Sequence, residues 1–202
     1  MKEVFSFQQK CSIPQKAKTN TYFLTSVFCL LILTTLFCGI LTGGWLPKAN
    51  VTTLLSGKNV KSGGCLAAVG DTIYALRGNN TRDMMVYSIN NNNWLYKDSF
   101  PYLFTNKKVK KGGAICYDGG NWIYLLKGNN TKDFFKRGVA GESAGIWVRL
   151  CDVYYPTDQG VKGGGALAYS DSTIYCFSGG KYSFFAEYDQ ITDMWGQHFL
   201  LH

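Results

Sequence analysis

Histidine is nearly absent from this chain. Its two copies, His198 and His202, stand at the extreme C-terminus. A Ser-His-Asp or Cys-His site needs an imidazole held rigidly, and terminal residues are seldom held that way. No C-x-x-C, H-E-x-x-H or P-loop spacing occurs. Zinc is disfavoured without paired ligands. The expectation is no catalytic residue, no metal and no cofactor. Proline is scarce too, at 4 of 202 residues, which excludes collagen-like and proline-rich filaments. Charged residues make up only 17% of the chain, so it is not a charge-driven disordered protein.

Charge is missing altogether from Thr19 to Pro47. Within that stretch, Tyr22–Trp45 reads YFLTSVFCLLILTTLFCGILTGGW. A helix of roughly 20 apolar residues spans the hydrocarbon core of a bilayer. The Ser and Thr hydroxyls can bond back to the preceding helical turn. Lys10, Lys16 and Lys18 precede the run, and Tyr22 and Trp45 sit at its ends like interfacial anchors. The expectation is a basic segment over 1–18, then a transmembrane signal-anchor over 19–47. The lipid bilayer would be met through residues 22–45. The remainder, 48–202, would lie outside the cytoplasm. A cleaved signal peptide, leaving a secreted protein, is the other reading. Against it, the run exceeds the usual apolar core of about 7–15 residues, and no A-x-A-like site follows before Lys48.

What is plentiful is glycine, 23 residues, together with aromatics at 15%. Both recur with a period near fifty. VKSGGCLAAVGDTIYALRGNNTRD (Val60–Asp83), VKKGGAICYDGGNWIYLLKGNNTKD (Val109–Asp133) and VKGGGALAYSDSTIYCFSGG (Val161–Gly180) align by eye. Trp94, Trp147 and Trp195 close the three units. Each unit reads as four short strands. In the first these are Gly64–Val69, Thr72–Arg77, Asp83–Ile89 and Asn93–Lys97. Gly70-Asp71 marks a hairpin turn, and Gly78-Asn79-Asn80-Thr81 is turn chemistry that tolerates positive φ. Along Thr72–Arg77, alternation sets Ile73, Ala75 and Arg77 on one face and Thr72, Tyr74 and Leu76 on the other. Nothing reads as a soluble helix, so the region is all-β.

These units resemble kelch repeats: an apolar strand, then Gly-Gly, then Tyr and Trp at a set interval. The third copy carries Ile174–Phe177, Gly179-Gly180, Tyr188 and Trp195. The first has Gly78-Asn79, Tyr87 and Trp94. The second has Gly128-Asn129, Phe135 and Trp147, with KRGVAGESAG lengthening the loop between its outer strands. The resemblance covers roughly Val51 to the C-terminus. It implies four-stranded antiparallel β-propeller blades over approximately 60–100, 109–154 and 161–202. The family includes a copper oxidase whose site needs histidines and a Cys–Tyr link; without those histidines the activity is not carried over.

Propellers typically close with about 4–8 blades. Three leave an incomplete ring with apolar faces and strand edges at both ends. Three readings are open: two or more chains complete the ring as a homo-oligomer, the chain is a piece of a larger propeller, or the arc stays open.

Four of the 7 cysteines, Cys65, Cys116, Cys151 and Cys176, fall in the repeat region. Cys65 and Cys116 align with alanines of other repeats, as reduced core residues would. The +8 net charge divides into +3 before residue 48 and +5 from Lys48 onward. Lys61, Lys111 and Lys162 recur immediately before the inner-strand glycines. They are candidates for an anion-binding rim, the alternative being a solvated edge. The loops carrying Arg77, Asn79, Asn80 and Arg82, and Lys127, Asn129, Asn130 and Lys132, are candidates for facing a protein or glycan partner. Nucleic acid is disfavoured because there is no basic helix. Asn50, Asn79 and Asn129 head glycosylation sequons, which matter only on a eukaryotic secretory route. The expected function is a non-catalytic binding module, membrane-anchored or exported. The alternative is a fragment of a carbohydrate-active propeller enzyme whose catalytic residues lie elsewhere.

Overall fold

The structure is a computed structural model that describes residues 44–53, 55–102, 105–154, 158–182 and 184–197. The chain divides into two units, residues 1–47 and 48–202. The expected transmembrane segment, 19–47, lies outside the described residues except for its last four, Gly44 to Pro47, and His198 and His202 lie outside them as well. Among the described residues no helix is long and apolar enough to cross a membrane.

The second unit is all-β, and its three four-stranded antiparallel sheets follow the chain in order. The first holds β1 (Cys65–Val69), β2 (Thr72–Leu76), β3 (Asp83–Ser88) and β4 (Asn93–Ser99). The second holds β5 (Ala114–Tyr117), β6 (Trp122–Leu126), β7 (Phe134–Gly138) and β8 (Trp147–Arg149). The third holds β9 (Ala166–Ser170), β10 (Thr173–Phe177), β11 (Phe185–Asp189) and β12 (Met194–Gln197). Each sheet is a simple up-and-down meander, because every connection is short enough for a turn. Of the insertion noted in the second repeat, Lys136–Gly138 complete β7 and the rest lies in the β7–β8 loop, with a single 3-10 turn at Gly141–Ser143.

The turn residues do what their chemistry allows. Asn79 and Asn80 take φ of 50° and 57°, and Asn129 and Asn130 take 56° and 57°. Asparagine tolerates this left-handed region better than other non-glycine residues. The same turns stitch neighbouring sheets together. Val109 N–H donates to the Thr81 carbonyl and Asn80 N–H donates to the Val109 carbonyl. Val161, Thr131 and Asn130 repeat that pattern one sheet later.

Because successive strand residues point to opposite faces, each sheet has two apolar faces. Between the first two sheets, Ala67, Tyr74, Leu76, Met84 and Val86 meet Val109, Ile115, Ile123, Leu125 and Phe135, with Phe100 wedged among them. Between the second and third, Ala114, Cys116, Tyr124, Leu126 and Phe134 meet Val161, Ile174, Cys176 and Tyr188. Burying a residue such as Leu126 or Phe134 contributes roughly 1.5–3 kcal/mol each. Trp147 Nε1 donates to Asp98 Oδ2 at 2.6 Å, so the end of one sheet's outer strand holds the outer strand of the next.

The segment before the first sheet is built to the same plan. Ser56 Oγ donates to Asp83 Oδ2 at 2.6 Å, as Thr105 Oγ1 donates to Asp133 Oδ2 at 2.5 Å. Trp94 Nε1 donates to the Ala49 carbonyl, and Trp195 Nε1 to the Cys151 carbonyl. Ser56 therefore stands to the first sheet as Thr105 stands to the second.

Candidate functional site

The loops singled out in the sequence do not all face outward. Arg77 and Lys127 are only 1% exposed. Arg77 lies on the Ala75 side, in front of the first sheet, and Lys127 lies beside Phe100 and Phe135 between the first and second sheets, so both charges are buried. Arg77 Nε pairs with Asp83 Oδ2 at 2.7 Å, and its other nitrogens donate to the carbonyls of Lys58 and Thr52. Lys127 Nζ pairs with Asp133 Oδ2 at 2.5 Å and reaches Thr105 Oγ1 at 3.0 Å. Its ammonium also lies 5.7 Å from the Phe100 ring centre and 5.6 Å from that of Phe135, where it gains cation–π attraction. The side chains of Asn79 and Asn129 are likewise committed, donating to the carbonyls of Asn59 and Lys108. Arg77 and Asn79 tie the first sheet to the segment before it through Thr52, Lys58 and Asn59, and Lys127 and Asn129 tie the second sheet to Thr105 and Lys108.

The lysines before the inner-strand glycines need one correction of register. Gly64, Gly113 and Gly165 donate their N–H groups to the carbonyls of Lys61, Lys110 and Lys162. The structurally equivalent set is therefore Lys61, Lys110 and Lys162. Lys111 stands one residue further on, because the second repeat reads Lys-Lys-Gly where the others have a single lysine. The close approach at this point depends on glycine. Gly63 and Gly112 have φ of 85° and 86°, and a Cβ at either would overlap the carbonyl oxygen of Lys110 or Lys162 in the next sheet.

Lys111 and Lys162 nonetheless come together. With Lys110, Asn129, Asn130 and Gly163 they line an open hollow of about 310 Å³ between the second and third sheets. No carboxylate lines it. Lys162 is steadied by its hydrogen bond to Gln159 Oε1, and Asn130 Oδ1 accepts the Gly160 N–H. Lys61 is not part of this hollow. Ammonium groups, asparagine amides and backbone make a surface suited to carboxylate, sulfate or phosphate oxygens. A second open hollow, of about 350 Å³, gathers Asn80, Arg82, Lys58, Lys108, Tyr96 and Tyr102 at the edge of the first sheet. Arg82 lies over the Tyr102 ring at 3.6 Å and donates through Nε to the Phe100 carbonyl, so its charge is already engaged. Lys132 is half-buried and lines neither hollow.

The thiols are poor nucleophiles where they stand. Burial pushes Cys65, Cys116 and Cys176 up to about 12, and Cys151 up to about 11. All four are free, and among the described residues no group of His, Cys, Asp or Glu is arranged to hold a metal ion. Asp118 Oδ1 accepts the N–H groups of Gly120 and Trp122, so the Asp118–Trp122 segment is a hairpin turn.

No family model and no curated protein matches the sequence. Solved structures do match the fold. One titled "Structure of YjhT" superposes with a TM-score of 0.53 at 15% sequence identity, covering 75% of this chain and 53% of that one. At that identity the likeness concerns the fold alone, and this chain spans about half the length of the structure it matches.

Proposed function

We propose that this chain is a non-catalytic binding module built from kelch-like propeller blades, tethered to a membrane through residues 22–45 or exported. Its ligand is an anionic group, carried by an acidic glycan or an acidic protein surface, that docks in the hollow lined by Lys110, Lys111 and Lys162. The supporting observation is the convergence of three lysines and two asparagines on one open hollow that no carboxylate lines. A solvated edge would spread such charges apart to lower their mutual repulsion; gathering three of them favours an anion between them.

Titration of the full chain with a fluorescent sulfated oligosaccharide tests this. Binding is expected to weaken as salt rises. Replacing Lys111 or Lys162 by Ala should weaken it about five-fold each, for roughly 1 kcal/mol per solvated charge contact. A Lys61→Ala variant should bind as the parent does. Binding that ignores the Lys111 and Lys162 substitutions, or no binding of sulfated or carboxylated probes, would overturn the proposal.

A further inference from the structure

Among the described residues the two end faces of the sheet stack are uncovered, and each lacks what the other provides. In front of the first sheet, Val51, Val60, Leu66, Met85 and Trp94 line an apolar hollow of about 370 Å³. The equivalent positions in the second sheet are Phe100, Val109, Ile115, Phe135 and Trp147, and there the face of the first sheet fills the space. The difference in exposure is large. Leu66 is 63% exposed and its counterpart Ile115 is 6%. Val60 is 47% exposed, whereas Val109 and Val161 are each 1%.

Behind the third sheet the complementary face stands open. Tyr175, Phe177 and Phe185 occupy the positions of Tyr124, Leu126 and Phe134, which are buried against the third sheet. Phe177 is 55% exposed where Leu126 is 0%. Tyr175 and Phe185 stack flat on each other, 5.6 Å between centres, and form a broad apolar surface. Gly164 keeps the left-handed φ of 91° that Gly63 and Gly112 use to admit the next sheet's lysine carbonyl. At Gly164 no such carbonyl arrives; a Cβ there would meet only Gly179, at 3.5 Å.

From these facts we infer that a second copy of this chain seats its first sheet on the third sheet of the first copy, and the reverse, closing one ring from two chains. The interface continues the packing already repeated twice within the chain. The second copy's Lys61 carbonyl takes the place above Gly164, and its Leu66 and Val60 are covered by Phe177 and Phe185. Such a head-to-tail contact closes only if the rotation per sheet permits. Two copies suit it, because the matched part of this chain corresponds to 53% of the YjhT structure. The inference is independent of the lysine hollow, which lies within one chain.

The test is the solution mass of the full chain in a mild detergent, by density-matched sedimentation equilibrium. A two-chain mass is expected. Phe177→Glu and Leu66→Lys should each give a single-chain mass with unchanged circular dichroism, since both side chains are exposed in the isolated chain. Mixing the two variants should restore the two-chain species, because one interface then pairs Glu with Lys and the other is native. A single-chain mass for the parent, a larger assembly, a two-chain species that survives both substitutions, or failure of the mixture to reassociate would overturn the inference.

Discussion

Replacing Asp133 by Ala strands a cation in the core. The Lys127 and Asp133 side chains are 1% and 4% exposed, and their charged atoms are 2.5 Å apart. Without the carboxylate, the ammonium keeps Thr105 Oγ1 at 3.0 Å and the two aromatic rings, none of which carries a countercharge. Removing one partner of a buried pair typically costs about 3–5 kcal/mol. That is a large share of the roughly 5–15 kcal/mol that holds a domain folded. Replacing both residues, Lys127→Met with Asp133→Val, removes the charge along with its partner and should recover most of the loss. The assay is urea unfolding followed by tryptophan fluorescence, read as a double-mutant cycle. Asp83→Ala is a graded control. Arg77 retains the carbonyls of Thr52 and Lys58, and Asp83 is 11% exposed, so its loss should cost less than that of Asp133. Additive single losses below about 1 kcal/mol would refute the reasoning, because a pair that weak is a solvated one.

Three further outcomes follow from the same geometry. Gly112→Ala should destabilise strongly, since both the positive φ and the Lys162 carbonyl oppose a Cβ, whereas Gly164→Ala in a single chain meets only the φ cost, of about 1 kcal/mol; thermal melts of the two variants check the order. Stability should fall as pH rises from about 9 to 12. Below 9.0 the thiols are protonated in both states; above it the unfolded chain releases protons that the folded chain, with Cys65, Cys116 and Cys176 pushed up to about 12, still holds. Buried Tyr124 and Tyr188 shift upward as well and add to the same alkaline loss, which a series of urea midpoints against pH would reveal. Asp98→Ala should loosen the first sheet from the second, because Trp147 Nε1 loses its acceptor and Arg137 its carboxylate; faster quenching of Trp147 fluorescence by acrylamide would register it.

Much of the fold was legible because the repeat speaks through residues whose roles are local. Gly70, Asn79 and Asn80 announce turns by their tolerance of positive φ, and Tyr74, Tyr124 and Tyr175 mark one strand position in all three sheets. The site was less legible. A run of Lys-Lys-Gly hides which lysine holds the repeat register, and only the hydrogen bond from Gly113 to the Lys110 carbonyl settles it. Arg77 and Lys127 read as loop charges because burial of a cation depends on a partner six residues away. The signal was nonetheless present: Arg77 with Asp83 and Lys127 with Asp133 share one spacing, and the third repeat loses both together, carrying Ser178 and Phe184 instead. Covariation of that kind marks a buried pair, whereas exposed partner-facing charges have no reason to vanish in step. That Lys111 and Lys162 share one rim was readable from the repeat; that Asn129 and Asn130 join them while Lys61 does not was not, because the hollow forms between sheets some fifty residues apart in sequence.

One packing register repeats through the molecule, and the proposed ring uses it a third time where the two open ends meet. Amide hydrogen exchange across a range of protein concentrations tests it most directly. The Val109 and Val161 amides donate to Thr81 and Thr131 within the chain and should be protected at every concentration. Val60 occupies the same register position in front of the first sheet, so its amide should gain protection as concentration rises and a second copy arrives. A Val60 amide that exchanges at one fast rate throughout, while Val109 and Val161 stay protected, would contradict the account.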